Sequence, residues 1–274
     1  MKHFIFYSCI LFILIGCNNA DKSGIRFSKG SHIILIGNNL GSRMINYGSF
    51  ETEMHLRYPD SLLYIRNMCD GGDMAGFRPH SGRANPWAFP GAEKYQTELA
   101  TNSGSEGFFE FPDQWLTRHK ADVIIAFFGY NESFAGPAGL ENFKAELDSF
   151  VRYTLNQKYN GVSAPQLALV TPIAFQDLSA KMDLPDGKKE NENLALYSQA
   201  IKDIAAKNNV HVVDAFSPTK DWFGNSKDQL TIDGFQLNAD GYTKFGKLLA
   251  DKTFGEHKSV AEDHRALVDA AVRE

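Results

Sequence analysis

The stretch His32-Ile33-Ile34-Leu35-Ile36-Gly37-Asn38-Asn39-Leu40 decides the fold. His32 to Ile36 is a short apolar run closed by a glycine and two asparagines, which reads as a buried strand ending in a tight turn. Similar runs recur at Leu62–Ile65, Ala121–Phe128, Gln166–Val170 and Val210–Val213. Between them lie segments of helical periodicity at Arg43–Arg57 (stopped by Pro59), Leu140–Tyr159 and Asn191–Lys207, and a last helix starts near Asp240. In the second of these, Phe143, Leu147, Phe150, Val151 and Leu155 fall near one face. Alternating strands and helices of this kind predict a parallel sheet covered on both faces. The expected fold is therefore α/β: a flavodoxin-like three-layer α/β/α sandwich around a five-stranded parallel sheet. Met68 to Pro112 lacks periodicity and is rich in Gly, Pro, Ser and Asn. A loop of that length in a compact domain is functional or poorly ordered, and this one follows the second strand, on the sheet edge where ligands bind.

The chain has 274 residues, 43% hydrophobic and 22% charged, with a formal net charge of −5. That is an ordinary soluble composition, large enough for one core without disulfide staples. The mild acidity offers no electrostatic basis for nucleic-acid binding. The N terminus reads as a targeting segment. Lys2 and His3 precede the apolar run Phe4–Ile15, which is shorter than the ~20 residues of a bilayer span. The run ends in Leu14-Ile15-Gly16-Cys17, which resembles a bacterial lipobox. The expected organisation is a signal peptide at 1–16, a lipid-anchored tether from Cys17 to Gly30, a main domain at 31–253 and a helical extension at 254–274. The expected location is the bacterial cell envelope, with the membrane reached through the lipid on Cys17. Cys9 would leave with the signal, so Cys69 is the one remaining thiol of three. No intrachain disulfide can then form, and Cys69 is expected to be a small packed residue.

Four motifs stand in order at the ends of these elements. They are Gly37-Asn38-Asn39-Leu40; Asn67-Met68-Cys69-Asp70-Gly71-Gly72-Asp73; Gly129-Tyr130-Asn131-Glu132; and Asp233-Gly234-Phe235-Gln236-Leu237-Asn238, followed by Gly241-Tyr242. On these blocks the chain resembles the SGNH hydrolases, also called the GDSL esterase/lipase family, over about residues 31 to 252. The resemblance implies a serine nucleophile in the first block. It also implies a histidine base in the last block, an aspartate three residues earlier that orients the base, and an oxyanion hole of the serine's own N–H, a glycine N–H and an asparagine amide. Residue by residue, Gly72 and Asn131 match the oxyanion positions and Asp233 the orienting acid. Asn39 stands at the serine position, Gln236 at the histidine position, and Asn38 replaces the aspartate beside the serine.

Those exchanges change the chemistry the resemblance implies. The nitrogen lone pair of a carboxamide is delocalised, so Asn39 is a poor nucleophile, and Gln236 does not titrate near neutral pH. Loss of a nucleophile–base pair costs ~10⁶ in turnover, while an intact oxyanion hole retains ~10³–10⁴ over water. His80 is the best replacement base; Ser42, Ser133 and His119 are weaker candidates for a substitute group. Arg78 and Arg83 are candidates for a carboxylate or sulfate on a glycan. Trp87, Phe89, Trp115 and Trp222 are candidates to stack on sugar rings, Trp115 alternatively anchoring a helix to the sheet. Glu132 joins Arg78 and Trp87 as a candidate ligand-binding residue.

Asp70, Asp73, Glu132 and Asp233 would share one edge of the sheet, either for acid–base chemistry or a hard cation or, in the structural alternative, as a cap (Asp73) and loop braces (Glu132, Asp233). No cysteine–histidine cluster has zinc-like spacing, and no metal or cofactor is expected. The expected function is an exported family member related to esterases acting on acyl esters of carbohydrates, with weak or rearranged activity on a small-molecule or glycan ester. The alternative is a non-catalytic glycan or cell-envelope binding module on the same scaffold.

Overall fold

The computed structural model describes residues 24–100, 105–225, 228–257 and 262–273. Cys17 and the expected signal peptide lie outside them. Five strands, β1 (His32–Gly37), β2 (Tyr64–Asn67), β3 (Val123–Phe127), β4 (Gln166–Val170) and β5 (His211–Val213), form one parallel sheet in the order β2-β1-β3-β4-β5. The helices, in chain order, are α1 (Asn39–Ser42), α2 (Ser49–Arg57), α3 (Thr97–Ala100), α4 (Pro112–Arg118) and α5 (Tyr130–Ser133). They continue with α6 (Gly136–Leu155), α7 (Lys188–Asn208), α8 (Phe216–Asn225), α9 (Ala239–Phe254) and α10 (Glu262–Arg273).

Side-chain alternation on β1 sorts the two cores. Ile33 and Leu35 pack with Phe50 and Met54 of α2 and with Phe245 and Leu249 of α9. Ile34 and Ile36 pack with Phe143, Leu147 and Phe150 of α6 and with Tyr197 and Ile201 of α7. These are the three layers the strand–helix alternation predicts, because a strand apolar on both faces must be covered on both. The chain leaves β1 toward β2 on one side and returns to β3 on the other. The crevice where ligands sit in such sheets therefore opens between the ends of β1 and β3. There Gly37 pairs with Phe127, and Asn38 N donates to Phe127 O at 2.9 Å. Gly37 has φ +117°, and a Cβ on it would lie 2.1 Å from Phe127 O, so only glycine fits this turn.

Three elements differ from the sequence expectation. The helix expected over Arg43–Arg57 is broken: a 3₁₀ turn covers Arg43–Asn46, and α2 begins after Gly48 at φ +64°. The second strand starts at Tyr64, not Leu62, because Leu62 adopts φ 48° and is exposed. The long segment after β2 is folded into the core: Ala75, Phe77, Phe89 and Ala92 are buried, and bridges join Phe77 to Trp87 and Arg83 to Phe108. Helix α8 had no counterpart in the sequence reading. Helix α10 lies against α2, where Thr52 Oγ1 donates to Asp269 Oδ1 at 3.1 Å and Arg265 pairs with Glu53.

Helix α9 is tied to the turn after β1 by a buried bond from Tyr242 Oη to Leu40 O at 3.0 Å. Tyr242→Phe leaves that carbonyl unpaired and is expected to cost about 1 kcal/mol, read as a lower urea midpoint at unchanged slope. An unchanged midpoint would show that the bond contributes nothing.

Candidate functional site

The first-block residues are held by backbone geometry. Asn38 is buried and caps α1, its Oδ1 accepting from Leu40 N at 3.2 Å. A capping oxygen is what the first turn needs, and asparagine supplies it as well as aspartate. Asn39 is the first residue of α1 and half-buried. A Cβ placed on Gly71 would lie 3.9 Å from Asn39 Oδ1, so the Asn39 carboxamide faces the second-block loop. Asp70 N donates to Gly37 O at 2.9 Å and fixes that loop to the end of β1.

Asn131, in α5 after β3, reaches the same loop. Its Nδ2 donates to Gly71 O at 3.1 Å and to Asp73 O at 2.9 Å. Both acceptors are carbonyls, so the amide orientation is unambiguous and both of its hydrogens are committed. The Gly72 N–H has no partner among the described residues, and Gly72 is exposed. The arrangement presents two backbone N–H groups without a partner among the described residues, those of Asn39 and Gly72, with the asparagine amide bracing the loop that carries Gly72.

The fifth block forms a compact turn before α9. Asp233 Oδ1 accepts from Phe235 N at 3.0 Å and Gln236 N at 2.6 Å, and Asp233 Oδ2 accepts from Gln236 Nε2 at 2.8 Å. The Gln236 amide thus occupies the aspartate as an imidazole N–H would, without a titrating proton. Tyr130 and Phe235 stack at 3.5 Å and 10°, joining the third block to the fifth. Burial, with the Asp233 charge adding to it, pushes the Tyr130 phenol up to about 12.

The carboxylates expected at one edge do not converge. Glu132 accepts from Gly129 N at 2.8 Å and Ala75 N at 3.3 Å, the structural alternative. Asp73 caps no helix, because the loop after it stays irregular; its Oδ1 is buried without a partner. Among the described residues no three His, Cys, Asp or Glu side chains gather in a metal-holding group.

His80 does not stand in as a base beside Asn131. It stacks on Phe109 at 3.8 Å, its Nδ1 accepts from Gly82 N at 3.1 Å, and it lines a different cavity. Arg78 is turned inward over the rings of Phe128 and Phe150, 5.6 and 5.2 Å from their centroids. Trp87 packs on Phe77, rings 5.1 Å apart, and lines an open groove of about 730 Å³ with Phe111 and Tyr153. Neither Arg78 nor Trp87 lines the 170 Å³ cavity that holds Asn131 and Glu132. Ser133 Oγ donates back to Tyr130 O at 2.7 Å, and His119 accepts or donates at Tyr64 Oη, 3.0 Å away, near the start of β3. Trp115 packs against the core with Phe109, as a helix anchor. Cys69 is packed: a Cβ on Gly41 would meet its Sγ at 2.4 Å, and burial pushes its thiol well up.

Glu146 escaped the sequence reading. It is fully buried in α6, accepts from Gly76 N at 3.1 Å and lines the Asn131 cavity beside Glu132. Its signal was present: it lies three residues after Phe143 and four before Phe150, inside the apolar stripe.

The sequence profile of the GDSL-like lipase/acylhydrolase family matches residues 69–244. The chain therefore belongs to this family of SGNH-fold proteins, although the match begins beyond Asn39. No curated protein matches. Among solved structures, the chain is similar to a catalytic mutant of the acetylxylan esterase Axe2 from Geobacillus stearothermophilus. The identity is 14%, with 86% of this chain and 100% of that one covered and a TM-score of 0.55. A protein described as a GDSL-like lipase from Parabacteroides merdae gives 14%, 85% and 100%, with a TM-score of 0.59. The hydrolase LAE5 from the metagenome of Lake Arreo gives 14%, 85% and 99%, with a TM-score of 0.56. At these identities the likeness is one of fold.

Proposed function

We propose that this family member recognises acyl esters of carbohydrate at the C-terminal edge of its sheet and hydrolyses them only residually, as an exported, lipid-anchored protein of a bacterial cell envelope. The observation that carries the catalytic half is the 2.8 Å bond from Gln236 Nε2 to Asp233 Oδ2. The carboxylate that would orient a base is occupied by an amide, and Asn39 offers no hydroxyl or thiol to activate. The ester-binding half rests on family membership, on the open Gly72 N–H beside Asn39, and on the acetylxylan esterase among the structural neighbours. The envelope location rests on Lys2, Phe4–Ile15 and Cys17, outside the described residues.

An acetylated xylo-oligosaccharide tests both halves. Calorimetry is expected to show binding, and acetate release is expected near ~10⁻⁶–10⁻³ per second, about 10⁶ below ordinary enzymes. Release at about 1 per second or faster would overturn the proposal. Trp87→Ala is expected to weaken binding ~3- to 10-fold if the separate groove lined by Trp87 takes a sugar ring; an unchanged affinity would remove Trp87 from the ligand surface.

A second reading, a non-catalytic glycan or cell-envelope binding module, is favoured by one observation. Both Asn131 amide hydrogens serve the loop, which leaves the oxyanion position the backbone N–H groups of Asn39 and Gly72 without a side-chain amide. Acetate release no faster than in buffer, with binding retained, would select it.

A further inference from the structure

Arg78 is 4% exposed and Asp73 is 2% exposed, yet Arg78 Nε, Arg78 Nη2 and Asp73 Oδ1 have no hydrogen-bond partner. Both residues flank a cavity of about 80 Å³ between the end of β1, the second-block loop and α4, lined also by Cys69, His80 and Trp115. Among the described residues no carboxylate lies within 4.0 Å of the Arg78 guanidinium. Asp73 is the anion that acts most strongly on Arg78, yet it makes no direct ion pair with it, and a buried cation without a directly paired anion is costly.

The chemistry of the unpaired atoms is specific. Nε and Nη2 are the two nitrogens on one edge of a guanidinium, with parallel N–H bonds that match the two oxygens of a carboxylate. The faces of the group lie over Phe128 and Phe150, so the edge is what remains for a ligand. The site is also braced. Arg83, itself buried, donates from Nη1 to Arg78 O at 2.5 Å and from Nε to Glu110 O at 2.8 Å. That bracing brings a second positive charge to the cavity wall.

We infer that this cavity binds a small carboxylate, gripped in two-pronged fashion by the Nε/Nη2 edge of Arg78, with Asp73 also on the cavity wall. Burial pushes the Asp73 carboxyl well above its ordinary range, with Asp70 adding to the effect and Arg78 opposing it. Its buried Oδ1 has no partner of its own and is available to a ligand in the cavity. Asn39, Asn131 and Gln236 do not line this cavity, so the inference stands whether or not the ester proposal holds.

The test is a titration of the ¹⁵N-labelled protein with acetate at constant ionic strength, following arginine Nε–Hε resonances. The Arg78 signal is recognised by its Overhauser contacts to the Phe128 and Phe150 rings. It is expected to shift saturably with a dissociation constant of roughly 0.1–10 mM, within the ceiling for a ligand of four heavy atoms. Arg78→Lys keeps the charge but loses the fork and is expected to weaken binding about tenfold or more. A parallel arm with D-glucuronate separates two sources of the same chemistry. Binding of acetate alone marks a free small acid, and binding of both marks a site that also admits a sugar acid. Absence of a saturable Arg78 shift with either ligand overturns the inference, as does unchanged affinity in Arg78→Lys. If that variant does not fold, the wild-type titration decides alone.

Discussion

Asn39→Ser combined with Gln236→His is expected to raise ester turnover at least ~10²-fold over the parent, with either change alone giving little. Nucleophile and base act as a unit, so supplying one without the other leaves the serine protonated or the histidine without a substrate to serve. The surroundings are in place. Asp233 already accepts a side-chain N–H from position 236 at 2.8 Å and two backbone N–H groups, so its carboxylate is anchored to orient an imidazole. Position 39 opens α1 beside Gly71 and Gly72, where a serine Oγ would meet the substrate carbonyl next to the open Gly72 N–H. The gain is expected to stop well short of a mature esterase, because Asn131 must give up a bond to Gly71 O or Asp73 O to turn toward an oxyanion. Nitrophenyl acetate hydrolysis by the parent, both single variants and the double variant, with circular dichroism to confirm folding, measures the coupling. Equal, buffer-level rates in all four folded proteins would refute the residue-by-residue assignment of the blocks.

The parts of this site that were legible in the sequence are those with a periodic or positional signal. The central strands announced themselves because both of their faces are buried: Ile33 and Leu35 serve one core and Ile34 and Ile36 the other, leaving an unbroken apolar run. The edge strand β2 is only half-covered, and the apolar pair Leu62-Leu63 pulled the expected strand two residues early. Gly48 was silent as a helix break, since its need arises from a distant contact: a Cβ there would lie 2.9 Å from Val272 Cγ1 of α10. The burial of Asp73, Arg78 and Arg83 was not readable, because irregular loops carry no period that distinguishes an inward charge from a solvated one. The same holds for His80, whose stacking on Phe109 depends on the bridge that joins Arg83 to Phe108. Glu146 was readable in principle, as a charge inside an otherwise apolar stripe.

That glutamate sets the second large effect: stability is expected to fall by several kcal/mol between about pH 5 and pH 8.5. Glu132 and Glu146 sit together in the Asn131 cavity. Burial pushes Glu132 from 4.5 to about 7, against the backbone N–H groups it accepts from, and pushes Glu146 to about 8 with the Glu132 charge adding to it. A carboxyl whose folded value is raised holds its proton in the native state after the unfolded chain has lost it. Its contribution is complete below the unfolded value near 4.5 and is lost as pH rises through the folded value. At ~1.4 kcal/mol per unit, the pair places the loss between about 4.5 and 8, on the order of 3–5 kcal/mol once coupling is allowed for, and the raised Asp73 acts in the same direction. Carboxylates held low by partners, such as Asp148 and Asp214, titrate below this window and do not mask it. Glu146→Gln keeps an oxygen for Gly76 N and removes the more strongly raised of the two carboxyls. Its urea midpoint is expected to match the parent near pH 5 and exceed it near pH 8.5. A parent whose stability is flat or rising across this range would contradict the burial argument. The loop gripped by these two groups through Ala75 N and Gly76 N also carries Gly72. Ionising the pair therefore strains the loop that presents the Gly72 N–H, and ligand affinity is expected to decline over the same pH window as stability.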